Sequence, residues 1–321
     1  MTLSRRDLLK LGAGAGLFAV VGRPRSALAR QSALNTVTIP SSGQRIPQIG
    51  IGCRSFRTGP DSDELPVLTD TLRTFHRLGG RVLDTSPNYG NSEAVVGEII
   101  ADLRIRNDVF VATKVDRETV AEGVIRMETS FDLLGGSRLD LMQVHNLRGV
   151  DVQLPTLRRW KEQGRFRHIG VTTSSESQYD TVEDLMRRRA IDFIQVDYSL
   201  GNRSADERLI PIAADLGMAV LVNLPFERGR LFSAVGDTPL PDWAAEIDAT
   251  SWAQVFLKYV MGAPGAVIPI PGTTQPSHAE DNVGAARGRL PSAALRLQME
   301  DFIDPLMQRS RIGPGRLRLP G

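Results

Sequence analysis

Short apolar runs alternate with amphipathic segments along most of this chain. Apolar runs of four to seven residues that end at Gly, Pro or polar residues are typical of buried parallel strands. Between them, apolar residues recur every three or four positions, as at Leu65, Leu68 and Leu72, which is typical of helices with one buried face. The apolar runs predict strands at residues 48–52, 81–84, 109–114, 139–145, 168–172, 193–198, 218–222 and 266–270.

Eight predicted strands separated by helices favour an α/β fold, a (β/α)8 TIM barrel. Residues 37–47, with a turn at Ser41-Ser42-Gly43, predict a short N-terminal β-hairpin ahead of it. A doubly wound sheet is the alternative, but it would carry a G-x-G-x-x-G turn, and Gly50-Ile51-Gly52 does not continue into one. Residues 226–248, rich in Gly and Pro after the seventh strand, predict a lid or ligand clamp, with a disordered excursion as the alternative.

The first 29 residues follow a different pattern. Arg5 and Arg6 precede an apolar run at residues 11–21, and Ala27-Leu28-Ala29 matches a cleavage site. This resembles a twin-arginine signal peptide, which implies folded export through the Tat translocation machinery to the periplasm or the exterior. An ordinary amphipathic helix is the alternative. The apolar run is too short to span a membrane, so we do not expect an integral membrane protein. Residues 30–321 are then predicted to form the barrel.

Charge and cysteine content exclude several classes of function. The whole chain has 39 basic and 37 acidic residues. The signal segment contains five of the basic residues and one of the acidic ones, so its removal leaves 34 basic and 36 acidic residues. A nearly neutral chain gives no reason to expect nucleic-acid binding. Cys53 is the only cysteine, so neither an internal disulfide nor a Cys-based zinc site is possible, and we predict no metal.

Four polar residues follow consecutive predicted strands. Asp84 ends the second strand, Tyr89 lies in the turn beyond it, and Lys114 and His145 end the third and fourth. Parallel strands end at the same side of a barrel, so we expect the four to converge there. Each alone has an ordinary explanation, such as a turn cap or a buried structural histidine, but together they favour a catalytic site.

The chemistry of this set is proton donation to an alkoxide. A tyrosine keeps its proton until about pH 10, whereas a neighbouring ammonium favours the phenolate, and a carboxylate keeps that ammonium charged. His145 adds a donor for a developing oxyanion. The set suits carbonyl reduction, with the hydride supplied by a cofactor. A Schiff base on Lys114, as in barrel aldolases, is less favoured because Asp84 would keep the amine protonated.

Three motifs resemble those of the aldo-keto reductase family. They are residues 83–93 with Val96-Gly97, then Thr113-Lys114, then residues 140–146, and the resemblance extends over residues 36–305. It implies a (β/α)8 barrel that binds NADP(H) and reduces an aldehyde or ketone. By the same resemblance Tyr89 is the proton donor, Asp84 and Lys114 tune it, and His145 orients the carbonyl of a small substrate.

The resemblance also implies a nucleotide site. It implies that Thr172, Thr173 and Gln195 hold the nicotinamide amide. The two threonines stand where the family usually has Ser-Asn. Asn223 then replaces a stacking tyrosine and precedes Leu224. The phosphate and adenosine residues implied are Pro271, Gly272, Thr273, Gln275, His278 and Asn282. Basic residues that clamp a 2′-phosphate are missing at Thr274, Gln275 and His278, although Arg228, Arg230 and Arg287 could compensate. Either NADP(H) or NAD(H) is therefore expected.

Residues just beyond strand ends are predicted to line the substrate pocket. They are Arg54, Ser55, Phe56, Asn146 and Tyr198. We therefore predict an oxidoreductase that reduces an aldehyde or ketone with a nicotinamide nucleotide. The alternative is a barrel of this family with little or no turnover that binds a nucleotide or a partner, motivated by the missing tyrosine and clamp residues.

Overall fold

The computed structural model describes residues 32–59, 63–188 and 190–312, with side chains up to residue 309. The described residues from Ala33 onward form one compact unit. The predicted signal peptide, residues 1–29, lies outside the described residues.

The described chain begins with the predicted hairpin. Strands β1 (Thr36–Thr38) and β2 (Arg45–Pro47) pair antiparallel. The buried side chains of Ile39 and Ile46 pack with residues at the starts of the barrel strands, including Val82 and Phe110. The hairpin therefore covers the amino-terminal end of the barrel, opposite the end where the polar strand-end residues lie.

Eight parallel strands form the central sheet of the described residues, in sequential order. They are β3 (Gly50–Gly52), β4 (Val82–Asp84), β5 (Phe110–Val115), β6 (Leu139–Val144), β7 (Phe166–Thr172), β8 (Phe193–Asp197), β9 (Ala219–Asn223) and β10 (Ala266–Pro269). The Gly52 N–H donates to the Pro271 carbonyl at 3.1 Å, and Gly52 forms a parallel bridge with Gly272. These contacts join the edge strands and nearly close the barrel, which confirms the predicted fold.

Helices surround the barrel and bury one face against it. The described helices are α1 (Glu64–Arg77), α2 (Ser92–Asp102), α3 (Val120–Leu134), α4 (Val150–Glu162), α5 (Tyr179–Arg187), α6 (Ser204–Glu207), α7 (Leu209–Leu216), α8 (Arg230–Val235), α9 (Trp252–Met261), α10 (Pro276–Ala285) and α11 (Ala293–Ile312). The stripe of Leu68, Leu72 and Phe75 in α1 is buried, as its spacing predicts. None of the helices in the described ranges is long and apolar enough to cross a membrane.

The segment at residues 226–248 is ordered into short helices. It contains a 3-10 turn at Glu227–Gly229, helix α8, and a 3-10 helix at Asp242–Ile247. Leu231, Val235 and Trp243 are buried in the main hydrophobic core. These anchors exclude the disordered excursion and fix the segment beside the carboxyl end of β9.

Candidate active site

The four polar strand-end residues meet at the carboxyl end of the barrel. They surround a cavity of about 940 Å³ that Asp84, Tyr89 and His145 line directly. Lys114 lies behind Asp84 and the Tyr89 ring. Parallel strand order explains the convergence, because β4, β5 and β6 are neighbours in the sheet.

Lys114 is buried and fully engaged. Its Nζ donates to Asp84 Oδ1 at 2.9 Å, to Asp84 Oδ2 at 2.8 Å and to the Thr85 carbonyl at 2.8 Å. Burial alone would lower the pKa of Lys114, but Asp84 and then Tyr89 outweigh it, so that pKa is raised above its usual value. The ammonium therefore stays charged at every physiological pH.

The turn that carries Tyr89 is fixed by hydrogen bonds and a glycine. The Tyr89 N–H donates to the Ser86 carbonyl at 3.0 Å, and Gly90 has a φ of 65°, a left-handed conformation that favours glycine. Lys114 Nζ lies 5.1 Å from the centre of the Tyr89 ring. The His145 ring centre lies 5.9 Å from it, nearly perpendicular. The half-buried phenol thus packs against both a cation and an imidazole.

His145 is a neutral imidazole. Burial, and next the charge of Lys114, lower the pKa of His145 to about 4. Its Nδ1 lies 3.3 Å from Ser86 Oγ and 3.4 Å from Asn88 Nδ2.

Asn88 decides which imidazole nitrogen carries the proton. Its Nδ2 donates to Asp116 Oδ2 at 2.5 Å, and its Oδ1 accepts from Arg126 at 3.4 Å, which sets the orientation of the amide. Asn88 therefore presents a donor to His145 Nδ1, and we assign the proton to Nε2. Asn88 was absent from the predicted site residues, because its position in the turn motif gave no sign of this contact.

Two glutamines in the barrel interior form a hydrogen-bond chain that ends at Asp84. Gln143 Nε2 donates to Gln195 Oε1 at 2.9 Å, and Gln195 Nε2 donates to Asp84 Oδ2 at 3.3 Å. Gln195 lines the cavity, as expected of a cofactor residue, whereas Gln143 lies behind it. Asp84 thus has polar partners on two sides.

The loop after β7 lines the cavity through the residue that follows the two predicted for the nicotinamide amide. Thr172 Oγ1 accepts from the Asn146 N–H at 2.9 Å, and Thr173 Oγ1 donates to Gln178 Oε1 at 2.6 Å. Among the described residues that line the cavity, this loop contributes Ser174, whose Oγ accepts from Asn223 Nδ2 at 3.2 Å. Thr172 and Thr173 are not part of that lining, because their hydroxyls bond to the loops after β6 and β7 respectively. Their role at the nicotinamide amide stays a prediction.

The predicted nucleotide residues divide into two groups. Those that line the cavity are Gln195, Asn223, Leu224, Gly272, Thr273, Gln275 and His278. Pro271 and Asn282 are not among the described residues that line the cavity. The Pro271 carbonyl helps close the barrel, and Asn282 is buried in α10. Of the three compensating arginines, Arg228 lines the cavity, whereas Arg230 pairs with Glu227 and Arg287 donates to the Leu78 carbonyl.

Two aromatic side chains close the cavity on the side of residues 226–236. Phe226 and Phe232 both line it, with ring centres 5.0 Å apart, and both pack on Phe256. Sequence reasoning missed them because it compared single aligned positions, at which Asn223 replaces the aromatic. Their signal was the apolar character of Phe226 and Phe232 in a segment otherwise rich in charge and glycine.

Two predicted substrate-pocket residues lie elsewhere. Arg54, Ser55 and Asn146 line the cavity. Phe56 and Tyr198, by contrast, are fully buried in the main core and are missing from the described lining. Tyr198 donates from its hydroxyl to Asp206 at 3.1 Å. This corrects the prediction for both residues, whose large side chains turn inward to fill the space behind the loops.

Potential metal ligands are dispersed. Across the parts of the chain that the structure describes, no group of three or more His, Cys, Asp or Glu residues is placed to hold a metal ion.

Comparison with known proteins gives consistent results. The NADH-specific methylglyoxal reductase of Escherichia coli is 27% identical, over 62% of this chain and 69% of that protein. Probable aldo-keto reductase 1 of Glycine max is 25% identical, over 83% of this chain and 88% of that protein. The crystal structure of an aldo/keto reductase from Klebsiella pneumoniae in complex with NADP and acetate has the same fold. Its TM-score is 0.70 at 24% identity, over 84% of this chain and 96% of that one.

A model of the Aldo/keto reductase family matches residues 48–297, which span β3 to β10 and every residue of the Asp84, Tyr89, Lys114 and His145 set. The match thus includes both the barrel and the cavity, and the chain belongs to the aldo/keto reductase family.

Proposed function

We propose that this protein reduces an aldehyde or ketone with NADPH or NADH, and that Tyr89 donates the proton. The observation that carries the proposal is the buried Lys114–Asp84 pair packed against a half-buried phenol in a cavity of about 940 Å³. A buried ammonium favours the charge that appears on Tyr89 when its proton leaves.

His145 has the complementary task of holding the carbonyl. Because its pKa is lowered to about 4, it is uncharged at neutral pH and donates from Nε2 rather than acting as an acid. A neutral donor binds the carbonyl oxygen without competing with Tyr89 as a proton source. One such hydrogen bond contributes about 3 kcal/mol to stabilising a developing oxyanion.

The cavity fits a nicotinamide nucleotide, which supplies the hydride when bound. Asn223 Oδ1 is buried and has no hydrogen-bond partner among the described residues, so it offers an acceptor to a carboxamide N–H. Ser174 lies beside it. At the other end, Thr273, Gln275 and the amino terminus of α10 offer donors to phosphate. Arg228, which also lines the cavity, adds a positive charge.

The site fits neither a Schiff-base aldolase nor a barrel without turnover as well as it fits a reductase. A Schiff-base mechanism requires a neutral amine, but the three acceptors around Lys114 hold it as an ammonium. A barrel without turnover would have no need of a buried ion pair aimed at Tyr89. The substitution below distinguishes that alternative directly.

The test is Tyr89→Phe. We expect kcat to fall by at least about 100-fold while the Kd for the nucleotide stays the same, since only the proton donor is lost. Tyr179→Phe, on α5 outside the cavity, is the matched control and should keep full activity. Turnover of Tyr89→Phe at the wild-type rate, or no turnover by the wild type on a broad carbonyl panel despite nucleotide binding, would refute the mechanism.

Parallel titrations of the protein with NADPH and with NADH measure its cofactor preference. With no arginine fork at Thr274, Gln275 or His278, we expect the two Kd values to lie within about tenfold of each other. The relatives support both cofactors, because one is named as NADH-specific and another was crystallised with NADP. A preference for NADPH that disappears in Arg228→Leu would assign the 2′-phosphate contact to Arg228.

We also propose that residues 1–29 are a twin-arginine signal and that residues 30–321 act outside the cytoplasm. The support is the Arg5-Arg6 pair, the apolar run and the cleavage pattern. Replacing Arg5 and Arg6 by Lys should retain the protein in the cytoplasm. The same change at Arg23 and Arg25 is the control and should leave export intact, as measured by fractionation. Export that persists without the pair would contradict the proposal.

A further inference from the structure

One arginine enters the cavity beside the proposed proton donor. Arg54 follows β3 and lines the same cavity as Tyr89 and His145. Its guanidinium carbon lies 6.0 Å from the centre of the Tyr89 ring. In the part of the chain that the structure describes, Arg54 makes no hydrogen bond and no ion pair. Its charge is therefore available to a ligand.

The backbone that carries Arg54 is held in place from both sides. Cys53 and Phe56 are completely buried, whereas Arg54 between them is exposed. The Cys53 N–H donates to the Asp84 carbonyl at 2.8 Å, and the Cys53 carbonyl accepts from Ser92 Oγ at 2.7 Å. Arg54 thus extends from a fixed point beside Asp84, and its placement at the cavity is built into the fold.

The charge at this end of the cavity is not balanced by the protein. Among the described lining residues, Asp84 is the only acid, and Lys114 already neutralises it. Asp116, just outside, is paired with Arg117 and Asn88. Arg228, the other lining arginine, belongs to the segment after β9 that we assign to the nucleotide. A cation without a partner leaves the reacting end electropositive.

From this arrangement we infer that Arg54 selects carbonyl substrates that also carry a carboxylate, placed so that Arg54 binds the carboxylate while Tyr89 and His145 hold the carbonyl. The inference rests on the proposed reductase function. A guanidinium binds a carboxylate through two parallel charged hydrogen bonds, which neutral substrates cannot match. The substrate class is aldehydes or ketones with a second, anionic end, such as oxo acids and formylbenzoates.

The test compares an anionic substrate with its neutral methyl ester, 4-carboxybenzaldehyde and methyl 4-formylbenzoate. We expect kcat/KM of the wild type to be at least about tenfold higher for the carboxylate, as one charged contact supplies. The ratio should fall towards one in Arg54→Leu, be intermediate in Arg54→Lys, and decrease in the wild type as salt is raised. Arg57→Leu is the matched control. Arg57 is exposed on the same loop but lies against Gly90, so its loss should leave the ratio unchanged.

The outcomes separate this inference from the proposed function. Turnover of both aldehydes with a ratio near one, or a ratio that Arg54→Leu leaves unchanged, overturns the inference and keeps the reductase. If neither aldehyde reacts, the proposed function fails, and binding of benzoate against benzamide in the presence of NADP+ decides the role of Arg54. Tighter benzoate binding that Arg54→Leu abolishes supports an anion site, and equal binding of the two rejects it.

Discussion

The imidazole of His145 can donate to a carbonyl only if its proton sits on Nε2, and this depends on a neighbour that is not itself part of the reaction. Asn88 supplies the hydrogen to Nδ1 at 3.4 Å, and its amide is oriented by Asp116 and Arg126. Asn88 is therefore a positioning residue for His145.

Asn88→Ala should lower kcat by about tenfold, which corresponds to about 1.4 kcal/mol, because the imidazole then divides its time between two tautomers. Nucleotide affinity should not change. Long-range proton–nitrogen NMR of the His145 ring checks the cause, since it reports which nitrogen carries the proton. Asn91→Ala is the control: Asn91 lies near the same turn but donates to the Thr58 carbonyl. An Asn88→Ala protein with an unchanged tautomer would exclude this role.

Among the elements, the contact between α2 and α3 depends on one glycine. A Cβ on Gly97 would lie 1.8 Å from the Leu133 carbonyl oxygen, so the two helices touch backbone to backbone. Alanine in a helix normally gains about 1 kcal/mol over glycine, but an overlap with rigid backbone costs more than that.

Gly97→Ala should therefore lower the free energy of unfolding by about 2 kcal/mol, measured as a reduced urea midpoint. Gly59→Ala, where a Cβ meets nothing within 4 Å, should leave the midpoint nearly unchanged. A Gly97→Ala protein as stable as the wild type would show that the helices separate without cost.

The segment after β9 is fastened to the loop after β8 by a buried carboxylate. Ser199 Oγ donates to Glu227 Oε1 at 2.9 Å, and Glu227 also pairs with Arg230. Glu227 and Arg228 both have positive φ, a conformation that non-glycine residues adopt only when their surroundings hold it.

Ser199→Ala should release this segment and weaken nucleotide binding by about tenfold, since Phe226 and Arg228 would lose their fixed positions. Faster amide hydrogen exchange in residues 224–236 should accompany the loss. Ser233→Ala is the control, because that hydroxyl donates to the Gly229 carbonyl at 3.2 Å, inside the same segment. Equal exchange in both variants would dismiss the fastening role.

Elements that pack as regular layers were predictable from sequence, and those set by loop geometry were not. β5 and β6 are buried along their whole length, so their continuous apolar runs located them to within a residue. Parallel order then placed Asp84, Lys114 and His145 together. By contrast, the helices at residues 227–247 are too short to show periodicity. Ser174 lines the cavity where Thr172 and Thr173 were expected, because the direction of a side chain after a strand depends on the loop hydrogen bonds.

For the molecule as a whole, the amino-terminal end of the barrel contains a titratable group with no catalytic task. His168 is 1% exposed, stacks on Phe110 with ring centres 6.0 Å apart, and meets Ser41 of the hairpin at 3.3 Å. Burial lowers the pKa of His168 to about 4. The charges of Lys161 and Arg167 lower this pKa further, whereas the charge of Asp192 raises it. The ring is thus neutral in the folded protein at pH 5 and mostly protonated in the unfolded chain.

Because the folded pKa lies below the ordinary value of 6.5, the unfolded chain binds more protons between those two values, and acid favours unfolding. The free energy of unfolding should fall by about 3 kcal/mol between pH 7 and pH 4 from His168 alone, with His145 acting in the same direction. Urea midpoints at the two pH values measure this. His168→Gln should lose much of the dependence, while His278→Gln, exposed on α10, should keep all of it. If His168→Gln keeps the full pH dependence of the urea midpoint, the acid sensitivity lies in other groups. The contact between the hairpin and the barrel then does not respond to pH.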